Sequence, residues 1–365
     1  MNSNAPVATL IVAAHPEDVA RLFSTVCAGA DVAVVAEEDG LGRELETVGL
    51  VLGARSTRAL APAGLESWCR EQAARGGVRV FTHSPQEDAP RHRDVCLAVS
   101  RVFDRLQVPA LGARPTAYQV LDDAAFHRKL ELLNALYRER PGGTEACTHP
   151  VRDGLGVEAF CEVRHPDVVR ALSLTKPEIF AELEDPWGFT HSTYERERYA
   201  LTARVLGALT GQGSPPRSVV DVGACEGLMT ERLRVLFPEA VVHAVESDPH
   251  FAARLRERLG GDERVRIVEA SALDVPLEAD LVLLAEVLYY LPVEAGRELL
   301  GRIRASHLLT SYGGRFGEEV HAALRELGWR QVVCGSLPAR IEPVDGVASP
   351  LLVRRAGTDV RLWSR

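Results

Sequence analysis

Short, valine-rich apolar runs alternate with amphipathic stretches along most of this chain. Residues 7–14 (VATLIVAA), 31–38 (DVAVVAEE) and 78–84 (VRVFTHS) are continuous apolar segments flanked by turn residues. That pattern predicts strands buried on both faces of a parallel sheet. Between them, 42–54 and 64–77 space their apolar residues for helices, and Gly76 and Gly77 close the second. Residues 122–138 predict an amphipathic helix with acids in its first turn, and 141–150 a loop. A second series follows: a helix over 193–210, a Gly/Pro linker at 211–218, then strand SVVDV, helix, strand VVHAVE, helix, strands VRIVEA and DLVLLAEV, helix, strand HLLTSY, helix and a terminal pair of strands. Two rounds of βα alternation predict two doubly wound α/β domains, at 1–165 and 185–365, with 166–184 as linker. No internal sequence repeat or low-complexity tract is visible.

Length agrees with this division, since 365 residues suit two domains of moderate size, and 46% hydrophobic residues give each a core. A net charge of -9 argues against nucleic acid or a membrane surface as partner, because either would want a basic face. It favours a small-molecule substrate, and a homo-oligomer is compatible with it. Seven scattered cysteines, never spaced C-x-x-C, fit reduced thiols rather than a disulfide framework. No apolar run reaches the length of a membrane span, and the first residues lack the charged region of a secretion signal. These features predict a cytoplasmic protein.

In the second half, SVVDVGACEGLMTERL (218–233) runs from an apolar strand through a glycine loop into a helix. Gly223, Ala224 and Gly227 let backbone approach a ligand, and the helix start supplies free N–H groups. Alone, such a loop is equally a tight turn of any α/β protein. About 20 residues on, the second strand ends in Glu246, followed by Ser247, where a carboxylate can accept both ribose hydroxyls. The acids Asp221 and Glu226 suit a cationic ligand rather than a phosphate. S-adenosylmethionine, with a sulfonium, an ammonium and no phosphate, fits that loop. Methyl transfer to an amine needs alignment and a neutral nitrogen, hence a base or a desolvated pocket. Glu286, Tyr289 and Tyr290, just after the fourth strand, stand where such a group belongs, although the tyrosines are equally read as pocket walls.

DPWGFTHSTYERERYA (185–200), DVGACEG (221–227) and AEVLYYL (285–291) together resemble the nodulation-factor (NodS-like) N-methyltransferases of the class I S-adenosylmethionine-dependent fold, over roughly 180 residues. The resemblance implies methylation of an amino group on a glucosamine unit. It places Trp187 and Tyr194 in a segment closing over the cofactor, and Asp221, Gly223 and Glu246 on its amino-acid and ribose ends. Glu286 would border cofactor and acceptor alike, and Tyr290 the acceptor. Many relatives carry an aspartate after the third strand; here Ser271 stands in its place, so Ser271 and the backbone of Ala272 would meet the adenine.

In the first half, AAHPEDV (13–19) sits where the first strand ends, and VRVFTHSPQEDAPRHRDV (78–95) supplies a second histidine-rich loop. His15 and Asp18 from one loop with a histidine from the other could make an open zinc site, with Glu17 activating water. The same HPED string also reads as a polar loop with a capping aspartate. Taken together, residues 7 to 163 resemble the PIG-L/LmbE-like N-acetylglucosaminyl deacetylases. The resemblance implies His15, Asp18 and His92 as metal ligands, Glu17 at the catalytic acid position, and an R-x-x-E helix at Arg43 and Glu46, with Arg43 toward the substrate. Glu17 replaces the family's aspartate, Val19 replaces an acid, and Ala89 replaces the histidine beside the tetrahedral intermediate; His83 and His149 are the nearby substitutes. His165, His307, His321 and Cys225 receive no role.

The two resemblances describe consecutive steps. A zinc-dependent deacetylase would expose the amine of an amino-sugar glycoside or natural-product intermediate, and an S-adenosylmethionine-dependent N-methyltransferase would methylate it. The competing expectation is a methyltransferase whose first domain is a silent, sugar-binding module; a third makes the acceptor a hydroxyl or carboxylate.

Overall fold

The computed structural model describes residues 7–36, 41–111, 113–138, 156–173, 176–211 and 215–365. The chain divides into two compact units, Met1–Pro186 with Pro343–Val353, and Trp187–Glu342 with Arg354–Arg365.

The first unit contains β1 (Ala8–Ala13), α1 (Pro16–Leu22), β2 (Asp31–Val35), α2 (Gly42–Leu52), β3 (Ser56–Leu60), α3 (Leu65–Ala73), β4 (Val78–Thr82), α4 (Pro90–Ser100), β5 (Leu106–Pro109), β6 (Ala117–Val120), α5 (Asp123–Arg138), β7 (Val157–Val163) and α6 (His165–Leu172). Its sheet has the order β3-β2-β1-β4-β5-β7-β6. β1 to β5 run parallel, and β7 runs antiparallel to both β5 and β6. Residues 9–14 show why β1 is central: Leu10, Val12 and Ala14 enter one buried cluster while Ile11 and Ala13 enter another, so both faces are covered. Prolines open α1 and α4, where a missing N–H costs nothing.

Glu158 on β7 is a buried anchor for this unit. Its carboxylate accepts backbone N–H bonds from Ser24 and Thr25 at 3.0 and 2.9 Å, both of their hydroxyls, and Lys129 Nζ at 2.7 Å. Five donors around one carboxylate satisfy a polar group whose burial would otherwise cost free energy.

The second unit contains α7 (Thr193–Gly211), β8 (Ser218–Val222), α8 (Leu228–Leu236), β9 (Val241–Glu246), α9 (Pro249–Leu259), β10 (Val265–Glu269), β11 (Glu278–Ala285), α10 (Val293–Arg302), β12 (Arg304–Tyr312), α11 (Gly314–Glu326) and β13 (Arg330–Leu337). β14 (Arg340–Pro343) and β15 (Leu352–Arg355) form a two-stranded sheet, and β16 (Thr358–Ser364) completes the chain. The main sheet has the order β10-β9-β8-β11-β12-β16-β13, with β16 antiparallel to both neighbours. When only the strands of this sheet are numbered, leaving out β14 and β15, the order is that of the first unit's sheet, although no sequence repeat announces it. In both sheets the chain turns one way after the first strand and resumes on the other side with the fourth. That reversal opens a crevice at their carboxyl ends, where ligands bind in α/β folds.

Two boundary expectations are corrected. The expected linker 166–184 contributes to a core: Val168, Val169 and Leu172 of α6, with Ile179 of the 3₁₀ turn Pro177–Glu182, are buried in the first unit's cluster. Nor does 185–365 form the second domain uninterrupted. Val344 and Leu351 are buried in the first unit's cluster, Arg114 donates its N–H to the Pro350 carbonyl at 2.9 Å, and Gln86 Nε2 donates to the Leu352 carbonyl. Burying those apolar side chains outweighs continuity along the chain. The loop expected at 141–150, with His149 in it, lies outside the described residues. Among the described residues, no helix is long and apolar enough to cross a membrane.

Candidate functional site

The second unit's crevice is built at the ends of β8, β9 and β11. After β8 the chain takes three left-handed residues, Gly223 (φ 69°), Cys225 (φ 52°) and Gly227 (φ 86°). A Cβ at Gly223 would stand 2.6 Å from Val287 Cγ2, and one at Gly227 2.6 Å from Leu255 Cδ1. Glycine is therefore required at both for conformation and for space. Gly223 and Ala224 donate their N–H groups to the Val245 carbonyl at 2.9 and 3.0 Å, folding the loop over β9. The unusual turn at Cys225 aims its N–H at Glu246 Oε2, 2.8 Å away, while Glu246 Oε1 accepts the Asp248 N–H at 2.8 Å. Glu246 is buried, and burial raises its pKa against those backbone bonds. The Ser247 N–H also bonds this carboxylate, which still has acceptor capacity for a ribose hydroxyl.

Asp221 is 3% exposed, and among the described residues its side-chain partner is the Thr230 hydroxyl, 2.6 Å from Oδ2. Burial pushes its pKa up to about 6. A carboxylate so under-satisfied is stabilised by a cationic ligand. Glu226 does not share that role: it pairs with Arg254 Nη1 at 2.7 Å, so its charge is already matched. Ser247 is exposed, and Ser271 and Ala272 are half-buried after β10, with Ser271 Oγ accepting the Leu273 N–H. The acceptors that an ammonium group and ribose hydroxyls need are thus present, so these residues fit S-adenosylmethionine.

Glu286 follows β11 with φ 58° and is half-buried. Its Oε1 accepts the hydroxyls of Ser311 at 3.1 Å and Thr358 at 3.2 Å. Burial raises its pKa, and the nearby charge of Arg198 opposes the rise. Tyr289 and Tyr290 are 43% and 55% exposed, and the Trp187 side chain hydrogen-bonds to Tyr290. Trp187 also packs on Phe251, ring centres 5.0 Å apart. Tyr194, expected over the cofactor, is buried instead, its hydroxyl donating to the Ala356 carbonyl and its N–H to Glu342.

Sequence reasoning missed the buried ion network behind this crevice. Arg198 pairs with Glu195 at 2.7 Å, and Arg355 with Glu342 at 2.9 Å while also donating to the Trp187 carbonyl. The run ERER (195–198) reads as a solvated helix face; Glu195 and Arg198 are in fact buried on α7. Ser311 and Thr358 carried no signal either, since each gains meaning only from strand order.

In the first unit, the ends of β1 and β4 bring the expected trio together. His15 Nδ1 and His92 Nε2 lie 3.1 and 3.2 Å from Asp18 Oδ2, and Arg21 donates to Asp18 Oδ1 at 3.0 Å. Glu87, which the sequence did not single out, orders the histidines. It contacts His92 Nδ1 at 2.6 Å, His83 Nδ1 at 3.1 Å and the Ser84 N–H at 2.8 Å. His83 Nε2 accepts the Ala14 N–H at 2.8 Å and its Nδ1 faces Glu87, so both of its nitrogens are engaged within the protein. The two imidazoles stack, centres 3.9 Å apart.

Burial works against charge at Asp18 and Glu87, but their histidine partners hold both well below the usual carboxylate range. Burial also opposes charge on His92, yet bonds to Asp18 and Glu87 raise its pKa to about 9. A cluster so arranged holds protons where a cation would otherwise sit. Two donor sets could hold a metal by spacing, His15–Asp18–His92 and His83–Glu87–His92; the Ala14 bond favours the first. Glu17 is buried on α1 beside Asp18. Arg43 and Glu46 lie exposed on α2, without a hydrogen bond or ion pair to this cluster. His165 is tied to Ser100 Oγ at 2.9 Å, a structural bond, and His321 packs against Trp363.

Comparison with known proteins concerns the second unit. Residues 173–316 match the family model of Nodulation protein S (NodS). Nodulation protein S of Sinorhizobium fredii is 29% identical over 147 residues, 40% of this chain and 65% of that protein. Trans-aconitate 2-methyltransferase of a Mycobacterium species is 30% identical over 161 residues, 40% of this chain and 60% of that protein. The chain thus spans less than two thirds of these relatives. Among solved structures, N-methyltransferase NodS from Bradyrhizobium japonicum WM9 in complex with S-adenosyl-L-homocysteine is 20% identical, with a TM-score of 0.42 over 52% of this chain and 95% of that one. The second unit is thus a doubly wound α/β, Rossmann-like sheet, and residues 173–316 are similar to the NodS family.

Proposed function

We propose that this chain is an S-adenosylmethionine-dependent N-methyltransferase acting in the cytoplasm on the free amine of an amino-sugar glycoside or natural-product intermediate. The observation that carries the reading is the buried, under-satisfied Asp221 carboxylate beside a glycine loop, next to a carboxylate already oriented for a ribose, Glu246. The nucleoside supplies a methyl carbon activated by its sulfonium. For their part, Asp221 would hold its ammonium group, Glu246 its ribose hydroxyls, and Ser271 and Ala272 its adenine edge. Tyr289 and Tyr290 offer exposed ring faces on which a sugar can stack. The likeness of residues 173–316 to NodS supports the amine as acceptor. In this reading the first unit binds and presents the sugar.

A second reading is favoured by one observation. His15 Nδ1, Asp18 Oδ2 and His92 Nε2 converge at 3.1 and 3.2 Å, close to the roughly 3.4 Å between donors on a tetrahedral zinc ion. Zinc there would polarise an amide and activate water, making the first unit an N-deacetylase. Glu17 would take the water's proton, and Glu87 would orient His92 from behind. The absence of a histidine at Ala89 weighs against it. Incubating the full chain with S-adenosylmethionine and paired N-acetylated and free amino sugars separates the readings. Methylation of free amines alone, with no acetate released, supports the first; acetate release that stops with a chelator supports the second.

A further inference from the structure

Among the groups near the acceptor side that could handle the proton an amine must lose, hydrogen bonding distinguishes Tyr194, Tyr290 and Glu286. Tyr194 gives its hydroxyl hydrogen to a backbone carbonyl, and burial pushes its pKa up to about 12. Tyr290 is hydrogen-bonded by Trp187, and burial again raises its pKa. A phenol that keeps its proton cannot accept another near neutral pH. Glu286 differs. Oε1 accepts the hydroxyls of Ser311 and Thr358, which lie 3.3 Å from each other, and among the described residues Oε2 has no hydrogen-bond partner.

The backbone places that free oxygen. Glu286 has a left-handed conformation that L residues avoid, held by its N–H bond to the Ser311 carbonyl at 3.1 Å. The next residue, Val287, packs directly on Gly223 of the cofactor loop. Local strain therefore fixes a carboxylate beside the loop that would present the methyl group. Charges facing it are Arg198 and Glu195 of α7, and the neighbouring hydroxyls are Tyr194, Tyr290 and Tyr312. Arg198 is itself paired with Glu195, so it does not neutralise Glu286 alone.

We propose that Glu286 Oε2 is the proton acceptor for the amine and that Ser311 and Thr358 are its positioning residues. This rests on the reading of an amine as acceptor. The ammonium proton passes to Oε2, and the freed nitrogen lone pair forms the new N–C bond. The S–C bonding pair stays on sulfur, leaving a thioether and a methylammonium group, so charge and atoms balance. Burial that raises the affinity of Glu286 for protons brings it nearer to that of a sugar amine, which makes the transfer efficient.

The test uses the full chain with S-adenosylmethionine and glucosamine methyl glycoside as probe, comparing wild type with Glu286→Gln, Thr358→Val, Thr358→Ser and Ser311→Ala. Glu286→Gln should lose about 100-fold in kcat with KM nearly unchanged, and lose the acidic limb of the rate–pH profile. Thr358→Val and Ser311→Ala remove hydroxyls that favour the ionised carboxylate, so the limb should move to higher pH; Thr358→Ser should restore it. Infrared titration of the Glu286 carboxyl in the free protein, assigned by difference from Glu286→Gln, should move in step. Should Glu286→Gln fail to fold, the near-isosteric Thr358→Val still decides. A wild-type protein active on the amine whose limb and carboxyl titration ignore these substitutions overturns the proposal and leaves the methyltransferase reading standing. Binding of S-adenosylhomocysteine without transfer to any amine overturns the amine reading, and this proposal with it.

Discussion

Gly223→Ala offers a quantitative check on the cofactor loop. The new methyl would lie 2.6 Å from Val287 Cγ2 and 3.6 Å from its Cγ1, in a residue whose φ is 69°. The left-handed conformation costs an alanine about 1–2 kcal/mol, and overpacking adds about 1–3 kcal/mol. The smaller entropy of the unfolded alanine chain returns about 0.4–1 kcal/mol. The net loss should be about 2–3 kcal/mol, or roughly 5–10 °C in the melting of a domain of this size. Because Val287 adjoins Glu286, relief of the clash would also disturb the crevice, and affinity for S-adenosylhomocysteine should fall at least about tenfold, equivalent to about 1.4 kcal/mol. Differential scanning and titration calorimetry on the full chain measure both. Val287→Ala removes the obstructing methyl, so the double variant should recover about 1–2 kcal/mol relative to the summed single changes. A Gly223→Ala protein with unchanged melting and affinity would refute the loop geometry, and zero coupling to Val287 would refute the contact.

Other expectations follow from the first unit. In metal-free protein, His92 has its pKa raised from 6.5 to about 9, so its stabilisation is complete below pH 6.5 and is lost as pH rises toward 9; melting temperature should fall over that window, and His92→Asn should flatten the slope. Asp18 has the opposite sense: its lowered pKa stabilises the fold above the ordinary carboxylate range and is lost as pH falls through the folded value, so acid melting curves of Asp18→Asn should lack that component. If the zinc reading holds, about one ion per chain should survive dialysis. Elemental analysis should then find it lost in His92→Ala and kept in His83→Ala. Lys129→Met would strand the buried Glu158 charge at a cost of about 3 kcal/mol; urea unfolding indistinguishable from wild type would contradict that pairing.

Much of this architecture was legible because buried parallel strands write themselves as continuous apolar runs. β1, β2, β4, β8, β9 and β11 all stand where such runs predict them. β3 was not legible: it is the sheet's edge, and Ser56, Arg58 and Ala59 are exposed, so it has no apolar signature. The return of Pro343–Val353 to the first unit was equally invisible, since two apolar anchors, Val344 and Leu351, specify no destination by themselves. At the sites, residues adjacent to a strand end could be named, including His15, Asp18, Gly223, Glu246 and Glu286. Their supports could not. Thr358 and the Glu195–Arg198 pair meet Glu286 across gaps in sequence that only the fold closes; Glu87 is close in sequence to His83 and His92, but only the loop geometry sets it between them; and Glu226 reads as a ligand carboxylate although Arg254 already pairs with it.

The central claim is that the crevice after β8 serves methyl transfer to nitrogen. The most direct measurement is transfer of labelled methyl from S-adenosylmethionine by the intact chain to free amino sugars, with products located by mass spectrometry. The account predicts label on the sugar nitrogen, and its loss when Asp221 is replaced by Ala. Label found only on oxygen, or tight nucleoside binding that survives Asp221→Ala, would contradict it.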